Sequence, residues 1–233
     1  AHVFAPSSAA SGKLEQIQIF GASLHKIEGS RQAATDAAKA FVKKRGLCYM
    51  SHNLSPYFSE GMKAASYEIV DVLGVEIDHV VLPVGNGSLL IGMVRGYQEL
   101  LAAGVIVKIP KFHCVQAHAV RPLVAALNGE QWSYHDALPT DASGIAVSKP
   151  PRLSEMLEAI NSTNGSGITV PEESLGAWQK RLSASEGLFS EMTSAGAFAG
   201  LERLIESGEI EHGSNVCLPI TGSGLKEPLK VVG

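Results

Sequence analysis

The sequence predicts an α/β fold with a doubly wound parallel sheet. Short apolar runs alternate with segments of helical periodicity, in units of about 25 to 35 residues, as parallel βαβ crossovers require. The run Val80–Val84 is apolar at nearly every position, which is typical of a strand buried on both faces. A chain of 233 residues that is 45% hydrophobic and 18% charged can bury a sizeable core.

The first part of the chain reads as two strand–helix units followed by a short strand. Strands are predicted over residues 1–5, 23–27 and 48–50. Helices are predicted to begin at Ser11 and after Ser30, and to end at Gly21 and Gly46. A linker with Pro56 inside it, residues 53–57, indicates a domain boundary. We therefore expect a boundary between a first part of the chain, residues 1–52, and a larger domain, residues 53–233.

The second part continues the alternation. A helix is predicted from Ser59 to Leu73, ended by Gly74, and another after Ser88, which we expect to cap it, ended by Gly104. Residues 130–152 lack periodicity and predict an irregular excursion. The remaining predicted strands cover residues 80–84, 112–116, 167–170 and 215–220, and the remaining helices cover 119–127, 153–160, 175–182 and 193–207.

Two polar, glycine-rich turns follow predicted strands. Gly85-Asn86-Gly87-Ser88 lies between a buried strand and a helix amino terminus, where free N–H groups and the helix dipole suit a phosphate. An ordinary tight βα turn that binds nothing explains this turn equally well. The second turn, Thr221-Gly222-Ser223-Gly224, follows the last predicted strand. Because ligands bind at the carboxyl ends of strands in such sheets, we expect both turns to face one crevice.

The charge balance narrows the range of partners. A net charge of -4 and a pI near 6.1 leave no basic stripe for a nucleic-acid backbone, so we expect no nucleic-acid partner. No apolar run approaches the ~18 residues of a membrane span, and no basic region with an apolar core opens the sequence. We expect no membrane association and a cytoplasmic location.

The cysteines and histidines do not predict a metal site. Cys48, Cys114 and Cys217 are widely spaced in apolar surroundings, without a CxxC pair, which predicts buried reduced thiols. His113, Cys114 and His118 suggest zinc, but adjacent residues of a strand point to opposite faces and would not converge on one ion. We therefore predict no metal ligands.

Several segments, taken together, resemble threonine synthase and, more broadly, the fold type II pyridoxal-phosphate enzymes of the tryptophan-synthase β group. The order and separation of these segments match along nearly the whole chain. Asn86 in the loop favours threonine synthase over the dehydratases, which tend to an all-glycine loop. The segments are NLSPYFSEGMK at 53–63, PVGNGS at 83–88, EGLF at 186–189, TSA at 193–195 and TGSGLK at 221–226.

The resemblance implies that residues 1–52 are the remnant of a small α/β domain and that residues 53–233 are the large domain. It also implies a site for pyridoxal 5'-phosphate in the large domain. The glycine-rich loop would hold the cofactor phosphate, and the hydroxyl after the last strand would hydrogen-bond the pyridine nitrogen. A neutral hydroxyl leaves that nitrogen unprotonated and moderates the electron sink. The implied cofactor-binding residues are Gly85, Asn86, Gly87, Ser88, Leu89 and Thr221.

The chain departs from the family pattern at the lysine. The resemblance implies a Schiff-base lysine in a Ser-x-Lys-like motif, with a Ser-Gly-Asn-like loop after it, and neither is present. We therefore name no catalytic residue and expect that the sequence begins after that segment and is inactive alone. The lysines without the required context are Lys13, Lys26, Lys39, Lys63 and Lys226.

The resemblance implies a lyase that converts O-phosphohomoserine, a small-molecule amino-acid substrate, to threonine and phosphate. We also expect a homodimer, or a need for the missing amino-terminal segment. Alternatives are another fold type II enzyme, such as a threonine dehydratase or a cysteate-synthase-like enzyme, and a non-catalytic fragment that binds phosphate or a partner. A nicotinamide-dependent oxidoreductase is disfavoured because the loop lacks a full GxGxxG.

Overall fold

The computed structural model describes residues 1–9, 11–74 and 76–226. The chain divides into two compact units. One comprises Ala1–Ser51 with the described residues after Ser223, and the other comprises His52–Ser223. This division falls between Ser51 and His52, one residue before the predicted boundary, and residues 224–226 group with the first unit.

The first unit is built on a two-stranded parallel sheet. Strands β1 (His2–Pro6) and β2 (Ser23–Ile27) pair in parallel, with α1 (Ser11–Ile19) between them in the chain and α2 (Arg31–Arg45) after them. The Ser30 side chain caps α2, and Gly46 ends it in the left-handed conformation, as predicted. The predicted strand at residues 48–50 is wrong: these residues adopt no regular structure, and Cys48 is exposed rather than buried.

The second unit contains a parallel sheet of four strands in the order β5-β4-β3-β6. Each described strand runs parallel to its neighbours. The predicted strand at 215–220 is shorter than expected, because only Val216 and Cys217 pair with β3; Pro219 has no N–H to extend the ladder. The strands are β3 (His79–Pro83), β4 (Lys111–Ala117), β5 (Gly167–Val170) and β6 (Val216–Cys217).

The helices of the second unit alternate with the strands as predicted, except that one predicted helix is divided into two. The helix predicted from Ser59 to Leu73 is two helices that meet at Met62 and Lys63. Residues 130–152 contain only short 3₁₀ turns, as the lack of periodicity predicts. No helix in the described ranges has the length and apolar composition needed to cross a membrane. The helices are α3 (Pro56–Gly61), α4 (Ala64–Leu73), α5 (Ser88–Ala102), α6 (Pro122–Leu127), α7 (Leu153–Ser162), α8 (Glu172–Glu186) and α9 (Met192–Glu206).

Both faces of the four-stranded sheet are covered, which confirms the doubly wound architecture. Alternate strand residues enter two separate apolar clusters, as the period of two requires. Val80 and Leu82 pack with α4, α5, α6 and α7 on one face. Val81 and Val115 pack with α8 and α9 on the other. The sheet is therefore held rigidly between two helical layers, and its strand ends are fixed positions for a site.

Candidate functional site

The two polar turns predicted from the sequence lie at the same edge of the sheet. β3 leads into Gly85–Ser88, and β6, its parallel neighbour, leads through residues 218–220 to Thr221. Since parallel neighbours present their carboxyl ends together, the structure brings the two turns to one edge of the sheet. That both turns face one crevice stays a prediction. Their role in binding stays a prediction at this point.

The first turn requires glycine at residue 87 and is tightly packed at residue 85. Gly87 has a φ of +79° and is the N-cap of α5. A Cβ at Gly87 would lie 2.3 Å from Cγ and Sδ of the buried Met156, and a Cβ at Gly85 would lie 3.1 Å from the Gly144 carbonyl oxygen. The expectation that Ser88 caps α5 is wrong: the left-handed turn selects Gly87, and Ser88 is the first helical residue.

The first turn presents hydrogen-bond donors without partners. The Ser88 Oγ is buried and has no hydrogen-bond partner in the structure. The amides of Ser88, Leu89 and Leu90 begin α5, so they have no acceptor within the helix. Gly87 offers no side-chain cap to them, and the helix dipole makes this end positive. An unsatisfied buried hydroxyl beside free amides fits the phosphate of a cofactor.

Gln116 fixes the start of this turn. Its Nε2 donates to the Val84 carbonyl at 3.0 Å, and its Oε1 accepts from the amides of Leu123 and Val124 at 2.9 and 3.1 Å. The side chain is fully buried. Gln116 therefore ties the end of β3 to the first turn of α6. The signal in the sequence is an amide residue inside an otherwise apolar strand, which our sequence analysis did not single out.

Ser194 organises the second turn. The Ser194 Oγ lies 2.9 Å from the Thr221 Oγ1 and accepts from the amides of Thr221 and Gly222 at 3.0 and 3.2 Å. The Glu191 amide donates to the Gly222 carbonyl at 2.9 Å. Ser194 is in the first turn of α9 and is fully buried, whereas Thr221 is exposed. The turn is thus attached to the amino end of α9.

The first turn of α9 also reaches the glycine-rich loop. The Thr193 Oγ1 accepts from the Gly144 amide at 3.1 Å, and the Gly144 carbonyl lies against Gly85. Thr193 and Ser194 therefore connect the surroundings of the two turns. The sequence offered only the TSA segment as a signal for them.

An open cavity of about 240 Å³ adjoins Thr221. The Ser190 Oγ on its wall is buried and has no partner. The cavity is lined by Leu188, Phe189, Ser190, Ile220, Thr221, Gly222 and Ser223. None of the loop residues 85–89 lines it, so the cavity belongs to the Thr221 side of the site.

Lys63, which lies in one of the segments that resemble threonine synthase, is held in ion pairs. Its Nζ lies 2.6 Å from Glu60 and 2.8 Å from Glu99. The hydrogen bonds that Lys63 donates to these carboxylates raise the pKa of Lys63 above its usual value. These interactions favour the charged form of Lys63, which disfavours it as a nucleophile.

Two of the residues considered for zinc, His113 and Cys114, are engaged elsewhere. The His113 ring nitrogens lie 2.9 Å from the His79 Nδ1 and 2.8 Å from the Ser166 Oγ. Cys114 packs in the apolar cluster on one face of the sheet, and burial raises the pKa of its thiol to about 12. Within the described residues, no group of three or more His, Cys, Asp or Glu side chains is arranged to hold a metal ion.

Residues 1–222 match the sequence profile of a family described as pyridoxal-phosphate dependent enzymes. The chain belongs to this family. The cofactor of the family is pyridoxal phosphate, and the unsatisfied Ser88 hydroxyl and free amides of the first turn fit its phosphate.

Relatives with curated names are described more specifically than the family, as threonine synthases. The chain is 33% identical over 225 residues to threonine synthase of Methanocaldococcus jannaschii, which covers 94% of this chain and 55% of that protein. It is 32% identical over 219 residues to threonine synthase of Mycobacterium tuberculosis, covering 94% of this chain and 59% of that protein. The chain thus spans little more than half the length of these relatives.

The structure is similar to that of the processed form of threonine deaminase isoform 2 from Solanum lycopersicum. The TM-score is 0.79 at 20% identity, and the match covers 96% of this chain and 62% of that one. At this identity the likeness shows the fold alone, and it confirms the predicted fold type II architecture.

Proposed function

We propose that residues 52–223 are the cofactor-binding unit of a pyridoxal-phosphate-dependent lyase that converts O-phosphohomoserine to threonine and phosphate. The observation that carries this proposal is the pairing of two turns at one sheet edge, one with an unsatisfied buried hydroxyl and the other with an exposed threonine hydroxyl. The identity of 32–33% to proteins named threonine synthase supports the choice of substrate.

The residues present divide the binding of the cofactor between the two turns. Ser88 and the amides at the start of α5 would hold the phosphate, with Gly85, Asn86 and Gly87 giving the close backbone approach. The Thr221 hydroxyl would meet the pyridine nitrogen as an uncharged partner. Bound pyridoxal phosphate supplies an electron sink for elimination and replacement at an amino acid's side chain.

The proposal requires a lysine that we do not assign among these residues. Lys63 is protonated between two carboxylates. The other lysines lack the family motif. We therefore propose that turnover depends on a lysine outside these 233 residues, while binding of the cofactor phosphate is a property of the second unit. Association with a second copy of the chain stays a prediction.

The test compares two proteins with the same assay. One is the 233-residue chain, and the other carries this sequence together with the lysine-bearing segment of its own gene. We expect both to bind pyridoxal phosphate, and only the longer protein to release phosphate and form threonine from O-phosphohomoserine. Formation of a 2-oxo acid from threonine, without phosphate release, would favour a dehydratase. Binding without any turnover by the longer protein would favour a non-catalytic phosphate-binding role.

A further inference from the structure

The hydrogen bonds around Ser194 fix the direction of its contact with Thr221. A serine hydroxyl offers one donor hydrogen and two acceptor lone pairs. Both lone pairs of the Ser194 Oγ are occupied, because the amides of Thr221 and Gly222 donate to it at 3.0 and 3.2 Å. Its hydrogen is therefore the one that lies in the 2.9 Å contact with the Thr221 Oγ1. Ser194 donates, and Thr221 accepts.

This direction leaves the Thr221 hydroxyl hydrogen available. Ser194 is fully buried and its coordination is complete, so it does not rotate to accept from Thr221. The Thr221 side chain is exposed at the wall of the 240 Å³ cavity. The Thr221 hydroxyl hydrogen is thus directed away from Ser194 and is available to a ligand bound on the cavity side.

We propose that Ser194 is a positioning residue that makes Thr221 an obligate hydrogen-bond donor to the pyridine nitrogen of the cofactor. The inference rests on the proposed function, because it assumes that this nitrogen meets Thr221. No proton is transferred: Ser194 keeps its hydrogen while donating to Thr221, and Thr221 keeps its own while donating to the ring. The ring nitrogen accepts a hydrogen bond and remains uncharged.

Ser194 also sets the position of the turn through the backbone. Two consecutive amides converge on one oxygen, so the Thr221-Gly222 peptide is fixed relative to the first turn of α9. Removing the oxygen leaves two amides without this acceptor and frees the Thr221 hydroxyl to rotate. The ring nitrogen would then lose a donor of fixed direction while Thr221 itself is still present.

The experiment uses the protein loaded with pyridoxal phosphate labelled with ¹⁵N in the ring. The ring-nitrogen resonance reports hydrogen bonding and protonation directly, independently of turnover. We expect Ser194→Ala to move this resonance most of the way to its position in Thr221→Val, and to weaken cofactor binding roughly tenfold. Ser194→Thr keeps a hydroxyl and is expected to restore both values.

A double-mutant cycle separates positioning from a general structural effect. In the Thr221→Val background, Ser194→Ala is expected to cause no further change of the resonance, because its only route to the ring is Thr221. The matched control is Ser66→Ala, which removes an equally buried hydroxyl that donates to the Met93 carbonyl. We expect this control to leave the resonance unchanged.

The outcomes distinguish the two proposals. A bound cofactor whose resonance is unchanged by Ser194→Ala would overturn the inference alone, and so would an equal change in the Thr221→Val background. Failure of the unsubstituted protein to bind the labelled cofactor would overturn the proposed function, and the inference with it. Thermal unfolding of each variant, measured without cofactor, identifies any variant that fails to fold, for which Ser194→Thr then carries the test.

Discussion

Buried serine hydroxyls in the second unit differ in whether they have a partner. The Ser66 Oγ donates to the Met93 carbonyl at 2.8 Å, whereas the Ser88 Oγ and the Ser190 Oγ have none. An unsatisfied buried hydroxyl costs about 1–3 kcal/mol. Ser88 belongs to the first turn and Ser190 lies on the wall of the cavity beside Thr221, so a ligand bound in the candidate site can supply the missing partners.

Ser88→Ala is expected to separate stability from binding. Without cofactor, it removes an unsatisfied hydroxyl, so the free energy of unfolding should stay the same or rise by up to about 1 kcal/mol. With cofactor, it removes a donor to the phosphate and should weaken the binding of pyridoxal phosphate about tenfold. Urea unfolding and cofactor titration measure the two effects.

Ser66→Ala is the matched comparison for Ser88→Ala. It breaks a buried hydrogen bond away from the site, so it should lower the free energy of unfolding by about 1 kcal/mol and leave the affinity unchanged. If Ser88→Ala behaved like Ser66→Ala, the Ser88 hydroxyl would have no role in phosphate binding.

At the scale of elements, the local sequence predicted most of the alternation and the positions of both turns. Gly46 and Gly74 end their helices in the left-handed conformation, because few other residues adopt it without strain. The apolar run of β3 reflects burial on both faces, which needs no knowledge of the partner strands.

The sequence-based predictions are wrong where tertiary contacts, rather than the local sequence, determine the structure. Residues 48–50 resemble a strand by composition, but a strand also needs a partner edge, which composition does not reveal. Ser88 is a good cap by residue type, yet the left-handed turn places Gly87 there. Ser194 escaped notice because a serine gains its role only from the two amides that meet its oxygen across 27 residues of chain.

Helix α9 packs closely on the sheet through small residues. A Cβ at Gly200 would lie 2.3 Å from Cγ2 of Val115 on β4. Gly200→Ala is therefore expected to lower the free energy of unfolding by about 1–3 kcal/mol, because the steric overlap exceeds the gain in helix propensity. Urea unfolding measures the change.

Gly176→Ala in α8 is the matched control. A Cβ at Gly176 has no atom within 4 Å, so the substitution should raise the free energy of unfolding by about 0.5–1 kcal/mol through helix propensity alone. A lower free energy of unfolding for Gly200→Ala and a higher one for Gly176→Ala would support close packing of α9. Stabilisation by both would contradict it.

At the scale of the whole molecule, the two edges of the four-stranded sheet carry different chemistry. The carboxyl edge holds the two turns with free donors. Near the amino edge, His79 begins β3 and pairs with His113 of β4, whose other ring nitrogen meets Ser166. Burial, then the neighbouring His79 and Lys111, lower the pKa of His113 to about 4, and burial lowers the pKa of His79 as well.

These histidines should make the cofactor-free protein less stable as the pH falls. The usual histidine pKa is near 6.5, so between that value and about 4 the unfolded chain binds more protons than the folded chain. The stabilisation is fully present above pH ~6.5 and is lost toward pH ~4. From pH ~7.5 to ~5, His113 alone should lower the free energy of unfolding by about 2 kcal/mol, and His79 adds in the same direction.

The interval from pH ~7.5 to ~5 isolates the histidines, because carboxylates with lowered pKa values, such as Asp78 and Glu99, remain ionised throughout it in both states. Urea unfolding at several pH values measures the slope. His113→Phe fills the same buried position without a titrating group, so it should remove most of the slope even if it lowers the stability at pH ~7.5. His135→Gln, at an exposed histidine, should keep the slope. If the free energy of unfolding of His113→Phe still fell with pH by the same amount, other groups would be responsible. The histidines at the amino edge of the sheet would then not explain the loss of stability in acid.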